Sequence, residues 1–357
     1  MTIKNNFLLD YKKIKVLVTG STGFKGSWLC FWLNSIKSKV IGVGLRPEKN
    51  SILFKSLDLD KKIKQYYIDI TDFNKLNSII KKEKPDIIFH LAAQSIVSES
   101  FINPLPTIKT NVMGSANILE SVKINKIPSL VYITSDKCYL NIEKNSSYKE
   151  SDELGGYDNY SSSKAAAEIL FHSYHNSYFK KKYLSHGTAR AGNVIGGGDT
   201  KKNRIIPDII NSLEKNKKIY IRSPNSTRPW QHVLEPLSGY LKLGSKLMNK
   251  EIRGTINPNW NFGPHKHNCK KVSEILNRVI NLWGKKNYQI IIDKNKKFKE
   301  SKLLSLNIKK ARQEIKWNPR LSLNEALNLT VSWYKNYYQS KSIVSLTEEQ
   351  IEFYLEK

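Results

Sequence analysis

Cysteine is scarce in this chain of 357 residues: Cys30, Cys138 and Cys269 are far apart and form no CxxC pair. That argues against a disulfide framework or a cysteine zinc site and for a reducing compartment. Histidine is sparse as well. His172 with His175, and His265 with His267, are close pairs that match no metal motif, so they read as ordinary surface histidines and no metal is expected. No apolar run approaches the roughly 20 residues of a membrane span, and Met1 to Lys13 lacks an apolar signal core. A cytoplasmic protein, neither secreted nor membrane-embedded, is expected. Acidic residues are outnumbered, 31 against 59 Lys and Arg, for a net charge of +28. A nucleic-acid or membrane partner must therefore be weighed. The surplus is mostly Lys in scattered pairs such as Lys12-Lys13, Lys61-Lys62, Lys81-Lys82 and Lys285-Lys286, while Arg, the usual reader of phosphates and bases, is rare. A solvated basic surface that attracts a small anionic substrate is the better reading, with neither nucleic acid nor membrane as partner.

What is present alternates. Ile14 to Thr19 reads as a buried strand, Gly20 to Gly26 as a turn and Ser27 to Ile36 as a helix. Further strands are expected at Val40 to Gly44, Tyr66 to Ile70, Asp86 to Leu91, Ser129 to Thr134 and Leu184 to Arg190. Helices are expected at Asp72 to Lys82, Asn111 to Lys123 and from Tyr160 to about Tyr178. This order implies an α/β fold with a doubly wound parallel sheet. After Gly192 the order loosens: a flexible turn at Gly196-Gly197-Gly198, helices at Ile205 to Glu214, Leu234 to Met248, Lys271 to Leu282 and Leu323 to Tyr338, and short strands at Lys218 to Arg222 and Gln289 to Ile292. We expect a nucleotide-binding domain over 14–192 plus about 232–261, and a smaller α/β substrate domain over about 193–231 and 262–357. No internal repeat or low-complexity segment interrupts them.

Gly20-Ser21-Thr22-Gly23-Phe24-Lys25-Gly26 has the spacing GxxGxxG between a strand and a helix. Such glycines let the backbone approach a pyrophosphate, which the helix N-terminus then favours. A dinucleotide is the expected cofactor. NAD is expected, although Val43-Gly44-Leu45-Arg46-Pro47 carries no carboxylate for a ribose. Arg46 there suits a surface position better than a 2′-phosphate contact, and NADP stays open. Asp69-Ile70 should meet the adenine, and the small residues of Leu91-Ala92-Ala93-Gln94 should let the cofactor approach. Asn111, Tyr160 and Lys164 complete the cofactor set.

Tyr160 and Lys164 share one helix face at i, i+4. A phenol ionises near 10, and a neighbouring ammonium with a cationic nicotinamide should lower that value, making Tyr160 a base for a hydroxyl proton. Thr134-Ser135-Asp136-Lys137-Cys138-Tyr139 follows the fifth strand at the carboxyl edge of the sheet, where ligands bind. Ser135 would polarise a carbonyl, and Asp136 with Lys137 would supply an acid and a base for elimination.

These stretches, with GSTGFKGSWL (20–29), HLAAQ (90–94), TSDKCY (134–139), LGGYDNYSSSKAAAE (154–168), ARAGNVIGGGD (189–199) and RPWQHVLEPLSGYL (228–241), resemble the extended short-chain dehydrogenases/reductases of the NAD-dependent epimerase/dehydratase family. They span about 14–264. Lys137 resembles the branch acting on CDP-glucose, since the dTDP-glucose dehydratases carry Glu there. The resemblance implies a Rossmann-type fold and a hydro-lyase. Tyr160 deprotonates the 4-hydroxyl, C4 hydride passes to NAD⁺, Lys137 removes the C5 proton and Asp136 protonates the departing 6-hydroxyl. Hydride then returns to C6 and C5 is reprotonated, giving CDP-4-keto-6-deoxyglucose. A neutral Lys137 needs desolvation or a cationic neighbour; protonated, it would instead stabilise the enolate. The resemblance further implies that Asn193 touches the sugar diphosphate. Gln94 is also expected at the substrate, Arg204 and Arg228 can pair with phosphate oxygens as charge-assisted forks, and His232 lies close by; each of these also has a reading as a surface or structural group. Trp230 is a core aromatic or a pocket wall. A homodimer or tetramer, and a product destined for deoxysugars of surface lipopolysaccharide, are implied in the same way. Rival readings are another nucleotide-sugar dehydratase or a 4-epimerase of the same fold, and a redox-inactive nucleotide-sugar-binding regulator.

Overall fold

The computed structural model describes residues 6–180, 184–252, 255–265, 268–292 and 303–357; His267 lies outside them. Seven strands make one parallel sheet: β1 (Lys15–Thr19), β2 (Lys39–Gly44), β3 (Lys64–Tyr67), β4 (Ile87–His90), β5 (Ser129–Ile133), β6 (Ser185–Ala191) and β7 (Asn259–Phe262). Their spatial order is β7-β6-β5-β4-β1-β2-β3, with every pairing parallel. The chain starts in the middle and winds outward both ways, so the strand order reverses beside β1. In such sheets that reversal opens a crevice at the carboxyl ends. The strands are covered on both faces, which is why β1 reads as an unbroken apolar run: Val16, Leu17 and Val18 are all fully buried.

Helices on the two faces are α1 (Phe24–Ser35), α2 (Phe73–Glu83), α3 (Ser115–Asn125), α4 (Asn159–Tyr174) and, after an excursion, α6 (Leu234–Met248). The excursion holds α5 (Ile205–Glu214) and a short strand, Ile219–Ile221. After β7 follow α7 (Val272–Trp283), α8 (Leu323–Tyr338) and α9 (Ile343–Glu356). Side-chain caps set several starts. Asp72 accepts from Lys75 N at 3.1 Å, Asp158 accepts from Ser161 N at 2.9 Å, and Ser322 with Glu325 forms a reciprocal capping box.

The structure alters several expectations. The third strand ends at Tyr67, so Asp69 and Ile70 sit in the turn beyond it, where Asp69 accepts from Thr71 N at 2.8 Å. The Asn111 helix begins as a π-helical stretch, Lys109–Gly114. Strand β7 and helix α9 had no clear sequence signal: β7 is four residues, NWNF, without alternation. Helix α9 returns to α1, with Trp32 and Tyr354 edge to face at 6.0 Å. Gly196-Gly197-Gly198 is close-packed, not loose. A Cβ on Gly197 would lie 1.9 Å from Trp333, and the Gly197 carbonyl accepts from Trp28 Nε1 at 3.0 Å. His175 is buried, against its reading as a surface residue, and stacks on Phe171.

Candidate active site

A cleft of about 600 Å³ runs along the carboxyl edge of the sheet, where the chain leaving β1, β2, β4, β5 and β6 meets residues 193–208 and 220–230. Its walls include Gly20, Thr22, Gly23, Phe24, Lys25 and Gly26 at one part, and Asn193, Arg204 and Arg228 at another.

The glycine loop is shaped by backbone. Gly20 has φ +72°, and a Cβ there would lie 2.8 Å from the Ala92 nitrogen. A Cβ on Gly26 would lie 2.0 Å from the Gly20 carbonyl oxygen. Both positions require glycine. Gly23 is the N-cap of α1 and no side chain caps that end, so the first turn presents its amides to the cleft as an anion site does. Thr22 Oγ1 donates to the Leu45 carbonyl at 2.9 Å and so ties the loop to the end of β2. The Ala92 amide donates to Thr19 Oγ1 at 3.2 Å, and that hydroxyl pairs with His90 Nδ1 at 2.8 Å. Leu91, Ala92 and Ala93 thus line the cleft with a held backbone, and Asp69 and Ile70 line it from the other side. Arg46 is exposed and stacks 4.7 Å over the Tyr67 ring.

Four residues assigned to ligands in the sequence, Gln94, Asn111, Lys164 and His232, do not line the cleft. Gln94 spends its amide on Ile96 and Thr107, donating to the Ile96 carbonyl at 3.1 Å and to Thr107 Oγ1 at 2.8 Å. Asn111 clasps the backbone of Gln94, accepting from its nitrogen at 2.8 Å and donating to its carbonyl at 2.9 Å. Its Nδ2 also donates to Ser163 Oγ at 3.0 Å, so it joins the β4 loop to α4. His232 departs for a different reason. It is fully buried, edge to face with Trp28 at 5.9 Å, and burial lowers its pKa to about 3. It is a neutral core histidine.

Ser135, Asp136, Lys137 and Tyr160 come together in the cleft. Ser135 Oγ donates to Asp136 Oδ1 at 3.0 Å and also hydrogen-bonds the Tyr160 phenol. Burial pushes Tyr160 up to about 12, with the Ser135 bond opposing. The lowering expected from the sequence is therefore not what the chain alone produces, because desolvation of the phenolate outweighs that help. Lys164 lies behind Tyr160, 5% exposed, and burial lowers its ammonium to about 8. Asp136 is 4% exposed, and burial raises its pKa against the charges of Lys137, Lys25 and Arg228. Its fit is tight: a Cβ on Gly192 would lie 2.9 Å from Asp136 Oδ2.

A buried ion pair anchors this segment. Glu168, one turn beyond Lys164, accepts from Arg190 at 2.8 Å and from the hydroxyls of Thr134 and Thr188. Arg190 donates in turn to Tyr139 Oη at 2.8 Å, and Tyr139 to Asn261 Oδ1 at 2.7 Å. Both ends of the 134–139 turn are thereby tied to α4, β6 and β7. Removing one partner of such a pair strands a buried charge, at a cost of about 3–5 kcal/mol.

Arg204 bridges Asp199, at 2.8 Å, and Ser95 Oγ, at 2.7 Å, and so joins the two parts of the cleft. Trp230 is buried, forms part of the wall and donates to the Lys270 carbonyl at 3.0 Å. Sequence reasoning missed Asp199 as the anchor of Arg204 and missed the reach of Lys25. Lys25 Nζ sits 5.9 Å from the Tyr240 ring centre and is lowered to about 8, first by burial and then by Arg204. Its charge acts on Asp136. No spacing rule connects residue 25 to residue 136; only the meeting of the start of α1 and the turn after β5 at one cleft does. Among the described residues, no group of three or more His, Cys, Asp or Glu could hold a metal, and no helix is long and apolar enough to cross a membrane.

The family described as GDP-mannose 4,6 dehydratase matches residues 17–330. A CDP-glucose 4,6-dehydratase of Salmonella typhimurium is 41% identical over 347 residues, 96% of each chain. Among solved structures, a dTDP-glucose 4,6-dehydratase from Bacillus anthracis in complex with NAD superposes with a TM-score of 0.76 at 24% identity, covering 93% of this chain and 99% of its own. A UDP-glucose 4-epimerase from Thermotoga maritima with UDP-glucose gives 0.77 at 21%, covering 91% and 100%. The likeness to both structures concerns the fold.

Proposed function

This chain belongs to the GDP-mannose 4,6 dehydratase family, and from that premise we propose that it removes water from CDP-glucose to give CDP-4-keto-6-deoxyglucose, with NAD restored at the end of each turnover. The relative at 41% identity carries that name, and its match runs the length of both chains. The glycine cradle, the uncapped start of α1 and the small residues at Ala92 and Ala93 fit a dinucleotide pyrophosphate. Gly20, Thr22, Gly23, Phe24, Lys25 and Gly26 would hold it, with Asp69, Ile70, Leu91, Ala92 and Ala93 along its length. Bound there, the nicotinamide would accept an electron pair from the sugar and later give it back.

The chain's own groups account for the proton traffic. Tyr160 takes the proton of the 4-hydroxyl, with the buried Lys164 ammonium one turn away to favour phenolate. Ser135, bonded to both Tyr160 and Asp136, polarises the oxygen at C4. Oxidation at C4 must come first, because C5–H is barely acidic and hydroxide leaves poorly until a carbonyl is adjacent. Lys137 then takes the C5 proton. Asp136, which burial holds toward its protonated form, gives a proton to the departing 6-hydroxyl, and once C6 has regained its hydrogen the proton held by Lys137 goes back to C5. Asn193, Arg204 and Arg228 face the diphosphate, where guanidinium forks suit phosphate oxygens.

The observation that carries the reading is Asp136. An epimerase of this fold needs Tyr160, Lys164 and Ser135, but not a buried acid bonded to that serine. Asp136→Asn should lower dehydration by about 10²–10³-fold while leaving NAD binding intact; unchanged turnover would remove the elimination scheme. CDP-glucose deuterated at C4 should yield product labelled at C6 without net NADH.

A homo-oligomer is part of this reading. Leu105, Ile108, Met113 and Ile169 are each at least 40% exposed on contiguous helical segments around α4, an apolar face suited to a second copy. All three cysteines are free thiols, which suits a cytoplasmic enzyme.

A further inference from the structure

The mechanism leaves Asp208 and Arg222 of the cleft unused. Asn203, Asp208, Tyr220, Arg222 and Ser223 line the part formed by the start of α5 and the strand Ile219–Ile221. Asp208 lies one turn into α5, half-buried. The backbone amide of Asn203 donates to its carboxylate, and the Arg222 charge bears on it. Arg222 is itself fastened to the same residue, donating to the Asn203 carbonyl at 3.2 Å. The groups that act most on Asp208 are Arg222, Asn203, Asp199 and Lys202. None belongs to the reaction centre at Ser135, Asp136 and Tyr160. On the proposed reading this wall would meet the nucleotide portion of a bound substrate and not the reacting hexose.

We propose that Asp208, with Arg222 beside it, selects cytosine over uracil and thymine by accepting a hydrogen bond from the exocyclic amine of the base. The proposal rests on reading the cleft as a nucleotide-sugar site. Its chemistry is a matter of donors and acceptors. Cytosine presents an amine at C4 and a bare N3, whereas uracil and thymine present a carbonyl at C4 and N–H at N3. A carboxylate only accepts and a guanidinium only donates. Asp208 meets an amine and repels a carbonyl; Arg222 meets the bare N3 or the O2 carbonyl. A carboxylate receiving the cytosine amine is also how proteins read that base in duplex DNA. Burial raises Asp208 to about 6, which leaves it ionised and accepting at neutral pH.

The test is a steady-state comparison of CDP-, UDP- and dTDP-glucose with the full-length chain, its Asp208→Asn and Asp208→Leu variants, and calorimetric titration of CDP and UDP into each. Wild type should favour CDP-glucose by about 100-fold or more in kcat/KM. Asp208→Leu should reduce that preference by at least about tenfold through KM, with kcat within about threefold. Asp208→Asn can turn its amide toward a carbonyl and should raise turnover of UDP-glucose. An unchanged CDP-to-UDP ratio in folded variants overturns the role of Asp208. Equal use of all three bases by wild type overturns it too, while the dehydratase reading stands. If wild type dehydrates none of the sugars, the proposed function fails, and the CDP-against-UDP titrations still decide whether Asp208 discriminates.

Discussion

Around α1 the cleft offers backbone: amides of an uncapped helix start, a left-handed Gly20 and a Gly26 against which no Cβ fits. From Asn193 to Arg228 it offers side chains carried on short elements, among them Arg204, steadied by Asp199 and Ser95. On the proposed reading the two regions would face related anions with opposite strategies. Backbone geometry is shared by any sequence with glycines at the right spacing, so that end can recognise a pyrophosphate but says little about what else is attached. Side chains can be exchanged one at a time, so the other end is where, on the same reading, the identity of a sugar nucleotide would be set.

The comparison breaks most visibly at Gly26. Gly26→Ala should abolish NAD binding, a loss of about 10³-fold or more, equivalent to about 4 kcal/mol, because the added carbon and the Gly20 carbonyl cannot both keep their places. Fluorescence titration with NAD checks it, and wild-type affinity would show that the loop yields. A smaller effect, shared by both ends, comes from pH. His90 beneath the glycine end and His232 beneath the substrate end are each held near pKa 3 by burial. An unfolded histidine titrates near 6.5, so the unfolded chain binds these protons first. The stability is complete above pH 6.5 and is lost as pH falls toward 3. At pH 5.5 each histidine should cost about 1.4 kcal/mol, visible as a lowered Tm; a Tm flat from pH 7 to 5.5 would contradict their neutral burial. Least of all is Arg204→Gln, a single side chain among several cations. It should raise KM for the nucleotide sugar by about tenfold with little change in NAD affinity. Equal losses for both ligands would mean that the two ends are not separable.

Legibility follows the same division. Ile205–Glu214, Leu234–Met248 and Leu323–Tyr338 have the bounds their periodicity implies. The glycine loop was visible because steric rules act on adjacent residues. So was the segment 134–139, because it follows a strand. Strand β7 was not, since four buried residues of mixed polarity become a strand only by lying beside β6. Nor was the fate of Gln94, Asn111 or His232: each is polar and near a motif, and each turns inward to satisfy the backbone or fill the core. The ionisation of Tyr160 was misjudged for the same reason, because burial is a property of the packed molecule.

By itself the sequence determined the alternation of strands and helices, the position of the tight glycine turn and the neighbours Ser135, Asp136 and Lys137, because each depends on interactions within a few residues. Tertiary structure alone decided that Lys25 acts on Asp136, that Glu168 and Arg190 lock the 134–139 turn, and that Asp208 and Arg222 share a wall. Those relations join residues from 14 to 111 positions apart, and only the folding of the sheet and its excursions brings them within electrostatic or hydrogen-bonding reach.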